Sequence, residues 1–327
     1  MAKGDEQHMT CMEVWGGSQL TERGVQMGGL DAWVYSKPYG GAGRGGDVYY
    51  ASSCATGRIS RLLLADVSGH GDAVASTAAD LRRLMRQYVN YLDQAQFVRS
   101  MNQQFVTLSA QGTFATALAT TFFAPTRVFT VCNAGHPRPL LYRARNKEWS
   151  ILEMSHSDDR PVGNIPLGII DIADYEQFDV EMELGDLVLC YTDALIESKN
   201  ADGEFIGEQG LLEIVTGLDA QPGEALIKAL LGKIGERHEK NLSEDDVTVM
   251  LLRASERKPR YRWRDKMGAM GRLAAAMVRA FNPRAERAPM PDFHLANIGG
   301  AIIPRLAKRW RPVRPLQANR PSRHSLP

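Results

Sequence analysis

Four short apolar runs of this chain each begin or end at an aspartate, and this pattern constrains the fold more than any other feature. Asp66 closes one run and Asp193 follows another, whereas Asp47 and Asp245 each lie just before one. The apolar runs occupy 48–50, 62–65, 187–192 and 247–252. Bounded apolar runs of this kind predict buried strands. Each aspartate therefore carries a charge from a buried core to its rim, where the charge needs a partner.

The four carboxylates repel one another if the ends of these strands converge. At about 5 Å and an effective dielectric constant of about 20, two such charges repel by roughly 3 kcal/mol, so they require cations or raised pKa values. Oxygen ligands alone suit Mg²⁺ or Mn²⁺ rather than Zn²⁺, which prefers His and Cys. Two such ions about 3.5–4 Å apart activate a water and hold a phosphoryl group for in-line displacement. The pattern therefore predicts hydrolysis of a phosphate ester.

Six stretches of the chain resemble the PPM family, the metal-dependent protein phosphatases related to protein phosphatase 2C, in its bacterial SpoIIE-like branch. The stretches are Gly-Gly-Asp-Val-Tyr at 45–49, Ala-Asp-Val-Ser-Gly-His-Gly at 65–71, Asn-Ala-Gly-His-Pro at 133–137, Leu-Gly-Ile at 167–169, Gly-Asp-Leu-Val-Leu-Cys-Tyr-Thr-Asp at 185–193 and Asp-Asp-Val-Thr at 245–248. Each is weak alone, but together they follow the order and approximate spacing of the family. The resemblance implies an α+β fold: a four-layer αββα sandwich of two antiparallel sheets flanked by helices.

The same resemblance implies a site with two Mn²⁺ or Mg²⁺ ions at one end of the central β-sandwich. Carried over position by position, Asp47, Asp66, Asp193 and Asp245 would bind the metals and act in catalysis through the metals and water. The backbone carbonyl of Val67 would be a further ligand.

Two positions depart from the family pattern. Tyr50 stands where the branch often has another aspartate. Ala194 stands in the position of the glycine in the usual Thr-Asp-Gly. The first change removes a carboxylate that would lie outside the metal ligands. The second puts a Cβ on a turn that glycine would relax.

Several of these residues also have simpler interpretations. Asp66 is a suitable N-cap for a following helix, and Asp245 lies in a stretch of ordinary loop composition. For His70 and His136 a hydrogen-bonding role in a turn is favoured over catalysis, since no His-x-x-x-His or Cys-x-x-Cys spacing occurs. Arg44, three residues before Asp47, is a candidate for the substrate phosphate, with a solvated arginine as the alternative.

A coarse pass along the chain predicts many short strands and two clear helices. The predicted strands are 31–35, 47–53, 59–66, 114–123, 127–132, 138–143, 178–184, 186–192 and 246–252. The predicted helices are 71–92 and 222–237, and the stretch 144–177 is predicted to be an irregular insertion. This order favours antiparallel sheets packed under helices.

Composition and cysteine usage indicate an ordinary globular protein. The 327 residues are 44% hydrophobic and 24% charged. The four cysteines are far apart in sequence and predict reduced thiols in a cytosolic protein. We find no secretory signal and no apolar run long enough to span a bilayer. The expected location is cytoplasmic, and peripheral attachment to a membrane is compatible with it.

Charge divides the chain near residue 253. Residues 1–252 contain 21 basic and 34 acidic residues, a net charge of −13, whereas residues 253–327 contain 18 and 4, a net charge of +14. We therefore predict a short lead-in at 1–30, a phosphatase domain at 31–254 and a basic Pro/Arg-rich extension with amphipathic helices at 255–327. The extension has three candidate partners: the acidic catalytic domain, an anionic membrane and nucleic acid, of which the last is least favoured. A plain solubilising tail is equally compatible.

The leading hypothesis is a Mg²⁺/Mn²⁺-dependent protein serine/threonine phosphatase acting on phosphoserine or phosphothreonine of a signalling partner. The resemblance implies that this phosphoprotein is of the anti-sigma-factor antagonist type. The alternative from another class is a catalytically weak, phosphatase-like binding or regulatory module. A third hypothesis keeps the chemistry but replaces the protein substrate by a small phosphate ester.

Overall fold

The fold is described by a computed structural model that covers most of the chain up to residue 256. The described residues are 7–8, 14–54, 57–69, 74–89, 91, 93–108, 112–154, 165–220 and 223–256. The basic extension predicted at 255–327 therefore lies outside the described residues except for its first two positions.

The described residues form thirteen strands and four α-helices. The strands are β1 (Gln7–His8), β2 (Val14–Gly17), β3 (Thr21–Met27), β4 (Leu30–Lys37), β5 (Val48–Ser53), β6 (Ile59–Val67), β7 (Ala115–Phe123), β8 (Val128–Ala134), β9 (Leu140–Arg143), β10 (Glu148–Ile151), β11 (Gln177–Glu181), β12 (Leu187–Tyr191) and β13 (Val247–Ala254). The helices are α1 (Ala75–Tyr88), α2 (Gln94–Leu108), α3 (Gly207–Thr216) and α4 (Glu224–Gly235).

The strands build two sheets. The seven-stranded sheet has the order β1-β3-β4-β13-β12-β9-β10, and the six-stranded sheet has the order β11-β8-β7-β6-β5-β2. Neighbouring strands pair antiparallel except for the short parallel pair of β1 and β3.

Strand β6 shows why these runs are apolar throughout. Leu62 and Leu64 point into the core between the two sheets, whereas Leu63 and Ala65 point into the core under α1 and α2. Successive side chains of a strand face opposite sides, so a central strand covered on both faces needs apolar residues at every position.

The helices cover the outer faces of both sheets. Helix α1 buries Ala78, Leu81 and Met85 at helical spacing against the six-stranded sheet, where α2 also packs. Helices α3 and α4 pack against the seven-stranded sheet through residues such as Leu211 and Leu230. The predicted α+β, four-layer αββα sandwich is confirmed.

The strand predictions agree with the structure better than the helix predictions. Each of the nine predicted strands corresponds to an observed one, and the helices predicted at 71–92 and 222–237 correspond to the shorter α1 and α4. Strands β1–β3 and helices α2 and α3 were not predicted. The predicted lead-in 1–30 thus includes residues that pair in both sheets.

The prediction of a wholly irregular insertion at 144–177 is wrong at β10, which pairs with β9. Trp149 is the one buried residue of this four-residue edge strand, so the sequence contains little apolar pattern that would predict a strand there. Residues 155–164 of the same stretch lie outside the described residues.

Antiparallel pairing determines where the conspicuous aspartates meet. The start of β5 lies beside the end of β6, with Val48 opposite Ala65. The end of β12 lies beside the start of β13, with Tyr191 opposite Val249. Each sheet therefore brings two aspartates to one end of the sandwich.

Among the described helices, none combines the length and the apolar composition that a membrane crossing requires.

We predict that the substitution Leu64→Ala lowers the free energy of unfolding by about 2–5 kcal/mol, because it leaves a cavity between the sheets. Leu64 is 1% exposed, whereas the control residue Ile172 is 84% exposed. Denaturant titration of both variants measures the effect, and Ile172→Ala should change stability by less than about 0.5 kcal/mol. Equal losses in the two variants would contradict the assignment of Leu64 to the core.

Candidate functional site

The six-stranded sheet contributes Asp47 and Asp66. Asp47 directly precedes β5 and is 3% exposed, whereas Asp66 is the penultimate residue of β6 and is partly exposed. Asp66 lies opposite Thr116 of β7 in the sheet. On β6, Asp66 is in phase with Leu62 and Leu64, so its side chain faces the space between the sheets at their open end.

The seven-stranded sheet contributes Asp193 and Asp245. Asp193 begins a short 3-10 turn, Asp193–Leu195, just after β12, and its carbonyl accepts hydrogen bonds from the N–H groups of Ile196 and Glu197. Asp245 lies two residues before β13, and one of its carboxylate oxygens accepts a hydrogen bond from the Asp246 N–H at 2.7 Å. Both carboxylates are partly exposed.

A buried hydroxyl links the two sheets at this end. The Thr192 hydroxyl, from the seven-stranded sheet, donates to Asp47 Oδ2 at 2.9 Å. Thr192 Oγ1 in turn accepts a hydrogen bond from the Thr248 N–H at 3.0 Å, and Thr248 Oγ1 lies 3.0 Å from the hydroxyl of Ser36. This chain of hydrogen bonds orients the Asp47 carboxylate toward the gap between the sheets.

Asp246 provides a second link between the sheets. Its carboxylate is 2% exposed and accepts hydrogen bonds from the N–H groups of Tyr39 and Gly46, each at 2.7 Å. A Cβ added to Gly45 would lie 2.3 Å from Asp246 Oδ1, so no side chain fits there. The glycine pair before Asp47 therefore allows a carboxylate of the other sheet to approach the backbone closely.

The carboxylates at this end raise one another's pKa. Burial, followed by repulsion from Asp47, Asp193, Asp245 and Asp246, raises the pKa of Asp66 to about 10. Burial raises the pKa of Asp47 well above its usual range, and Asp246 and Asp193 add to the shift while hydrogen bonds from Thr248 and Thr192 oppose it.

The pKa of Asp193 rises less, to about 6, through burial first and then the charges of Glu197 and Asp245. The structure thus brings together all four aspartates that the sequence singled out, since Asp47, Asp193 and Asp245 each add to the raised pKa of Asp66.

The donor set fits hard divalent cations. It consists of carboxylates together with backbone oxygens, and the mutual repulsion of the carboxylates is the energy that a cation would remove. A Cβ at Gly46 would lie 2.9 Å from the Val67 carbonyl oxygen and 3.0 Å from that of Gly69, so this glycine keeps the space beside Val67 open. As placed, no three acidic, histidine or cysteine side chains of the described part of the chain are close enough to hold an ion by themselves.

Of the two motif histidines the structure describes His136, which lies beside the acidic centre, because it contacts Thr116, the residue opposite Asp66. His136 is 4% exposed, its Nδ1 lies 2.8 Å from the Thr116 hydroxyl, and its backbone exchanges two hydrogen bonds with the Asn133 side chain. Burial lowers the pKa of His136 to about 3, so the ring is neutral and structural. His70 lies outside the described residues.

Arg44 is exposed, and its charge contributes to the lowered pKa of Arg82 on α1, behind burial and Arg86. The structure therefore places it at the rim on the α1 side rather than among the carboxylates.

The two departures from the family pattern do not distort the acidic centre. The Tyr50 ring is fully buried in the core under α1 and α2, on the opposite face of β5 from the space between the sheets. Ala194 lies within the 3-10 turn and is not among the residues with positive φ. Its Cβ therefore causes no backbone strain.

Three supporting residues were missed by the sequence analysis: Thr192, Asp246 and Thr248. All three stand inside stretches that the resemblance had singled out, so the signal was present. Their role depends on contacts across the two sheets, which spacing along the chain does not show.

Comparison with known proteins bears on the family and the fold of this chain. A model of the family described as Stage II sporulation protein E (SpoIIE) matches residues 57–255, more than half of the chain. Among curated proteins, the chain is similar to the phosphoserine phosphatase RsbU of Bacillus subtilis (strain 168), with 23% identity over 197 residues that cover 59% of this chain and 55% of that protein. The chain thus spans about half the length of the curated relative that it matches.

Two solved structures share the fold. One is the PP2C phosphatase domain, with a fragment of the regulatory domain, of the cell fate determinant SpoIIE from Bacillus subtilis: TM-score 0.56, 18% identity, 75% of this chain and 64% of that chain covered. The other is RsbX in complex with magnesium: TM-score 0.50, 18% identity, 72% of this chain and 100% of that chain covered. At this level of identity the likeness concerns the fold.

We predict that raising the pH destabilises the metal-free protein through Asp66. The pKa of this group is about 10 in the folded state, against an ordinary value of 3.8 for an aspartate. Between those values the folded state binds a proton that the unfolded state does not, so stability falls as pH rises. Asp66→Asn removes this titration. In EDTA, the stability of the variant relative to wild type should therefore increase from about pH 5 to about pH 9, as measured by urea unfolding.

A stability difference that stays constant across this pH range would contradict the convergence of carboxylates on Asp66. The exposed-site variant Asp202→Asn serves as the control, because Asp202 lies in a surface turn away from the cluster.

Proposed function

Since this chain belongs to the SpoIIE family, we propose that it is a metal-dependent protein serine/threonine phosphatase. The observation that carries this proposal is the convergence of Asp47, Asp66, Asp193 and Asp245 at one end of the sandwich, where burial and neighbouring carboxylates raise the pKa of the first three. Acidic side chains arranged in this way are costly for stability and are expected at functional sites.

We infer that two Mn²⁺ or Mg²⁺ ions bind here, held by Asp47, Asp66, Asp193 and Asp245 together with the Val67 carbonyl. The oxygen-only donors and the space beside Gly46 support this assignment. When bound, such ions neutralise the charge of a phosphate ester and lower the pKa of water at the site.

The residues of the chain itself orient this site. Thr192 holds the Asp47 carboxylate by a hydrogen bond across the sheets, and Asp246 holds the Gly46 backbone. Arg44, exposed and three residues before Asp47, is the residue that we propose to bind the substrate phosphate through its planar set of donors. Its exposure supports a contact made only when substrate is present.

The substrate in this proposal is phosphoserine or phosphothreonine in a signalling protein, and an anti-sigma-factor antagonist type domain is the class of partner that the family resemblance implies. The similarity to a phosphoserine phosphatase supports the choice of phosphoserine. Contacts of the basic extension with an anionic membrane or with the acidic domain concern residues outside the described part of the chain and stay a prediction from its charge.

The activity test is hydrolysis of para-nitrophenyl phosphate by the purified protein with Mn²⁺, with Mg²⁺ and with EDTA. We expect turnover with metal and none with EDTA. Asp66→Asn and Asp193→Asn should each reduce kcat/KM by about 100-fold or more, because each removes a metal-ligand charge. Asp202→Asn, at an exposed turn, should retain wild-type turnover.

Absence of turnover with any metal, in a protein that unfolds cooperatively, would overturn the phosphatase proposal. It would favour the alternative of a phosphatase-like binding module.

A further inference from the structure

A groove of about 240 Å³ lies beside the acidic centre, and the proposed chemistry does not use it. It is formed by the segment after β12 and by the loop between α4 and β13. Its lining includes Ala194, Ser198, Lys199, Phe205, Leu242 and Asp245. We name it the Phe205 groove after the aromatic residue that is most exposed in it.

The Phe205 groove is continuous with the acidic centre. Asp245 forms part of its wall, and Ala194 directly follows Asp193. Its volume equals that of about eight waters in the liquid, which is more than a phosphoryl group needs. A phosphorylated side chain at the carboxylates would therefore place its neighbouring residues at the groove.

The groove is built before any ligand binds. The Asn241 side chain donates to the carbonyls of Lys199 and Ile234 and accepts from the Lys199 N–H, each at 2.8 Å. The buried Ser198 hydroxyl donates to the Ala194 carbonyl at 2.8 Å. The two bonds between Asn241 and Lys199 join the two walls, and the others hold each wall in shape. A rigid site loses less conformational entropy on binding.

Leu242 adds an observation from the backbone. It has φ of +60°, a left-handed conformation that is uncommon for a residue with a side chain, and its carbonyl accepts a hydrogen bond from the Lys37 ammonium at 3.3 Å. Backbone strain of this kind tends to occur at binding sites. Here it holds a leucine on the wall of the groove.

The most exposed apolar side chain of the groove is Phe205, in a lining that is otherwise largely polar and charged. Phe205 is 65% exposed and belongs to none of the three core clusters of the described residues. Lys240 and Glu244, which also line the groove, are an exposed ion pair at 3.4 Å and largely offset each other's charge. An exposed phenylalanine costs free energy in water, and an apolar ligand side chain would remove that cost.

We propose that the Phe205 groove binds the peptide segment next to the phosphorylated residue of the substrate, and that Phe205 selects an apolar side chain there. This inference rests on the proposed phosphatase function, because it assigns the groove to the substrate of that site. The ligand is thus a phosphoserine peptide with a leucine-like neighbour.

The test uses two synthetic phosphoserine peptides that differ only in having leucine or glycine on both sides of the phosphoserine. The full-length protein with Mn²⁺ should hydrolyse the leucine peptide with a kcat/KM about tenfold higher, since apolar contacts in a pocket discriminate substrates to about this degree. Phe205→Ala should reduce this preference to a ratio of about one, whereas Phe205→Leu should retain part of it.

The matched control is Leu184→Ala, an exposed apolar residue ahead of β12 and therefore at the opposite end of that strand from Asp193. It should retain the wild-type preference. A wild-type ratio of about one, or a preference that persists in Phe205→Ala, would overturn the proposal.

A binding measurement separates this inference from the phosphatase function. Fluorescence anisotropy gives the Kd of both labelled peptides for Asp193→Asn and for the double variant with Phe205→Ala. If wild type hydrolyses neither peptide nor para-nitrophenyl phosphate, the phosphatase function fails, yet a Kd preference for leucine that depends on Phe205 still supports the groove. Equal Kd values for the two peptides would overturn the proposal for the groove and leave the phosphatase function untouched.

Discussion

The Asp246 carboxylate is the contact on which the geometry of the acidic end depends. Asp246 directly precedes β13, the central strand of the seven-stranded sheet, and its carboxylate accepts hydrogen bonds from two backbone N–H groups, one of them that of Gly46, which leads into β5 of the six-stranded sheet. A buried carboxylate is stable only when such donors satisfy it. By holding the Gly46 backbone it sets the position of Asp47, and Thr192 then sets the orientation of the Asp47 carboxylate.

The rest of the centre follows from antiparallel pairing on either side of this link. In each sheet the end of one strand lies beside the start of its neighbour, so two pairs of aspartates meet, although α3 and α4 separate β12 from β13 in sequence. The two inner faces of the sandwich pack through an apolar core that stops short of this end. The stability of that core offsets the free-energy cost of holding several carboxylates close together. A metal site or a substrate-binding site requires such an arrangement.

The sequence analysis predicted the central strands well because their signal is strong. Runs such as 62–65 and 247–252 are covered on both faces, and burial on both faces leaves only apolar residues. Edge elements were harder: β10 buries only Trp149, and α3 contains two glycines, which are poor helix formers. Helix α2 has apolar residues at helical spacing in Phe97, Met101 and Phe105, so the sequence did contain a pattern that predicts this helix.

The sequence by itself determined that four aspartates lie at the ends of buried strands, because each one stands beside an apolar run. It also determined the layered architecture, since strands that are apolar on both faces must be covered on both. Only the tertiary structure decided the supporting contacts, in which Thr192 and Asp246 each hydrogen-bond to the six-stranded sheet. It also decided that Tyr50 faces the helices and that Phe205 and Asp245 line the same groove. The physical reason is that these contacts join residues as much as 200 positions apart in sequence, and their distances are set by how two sheets pack rather than by any local pattern.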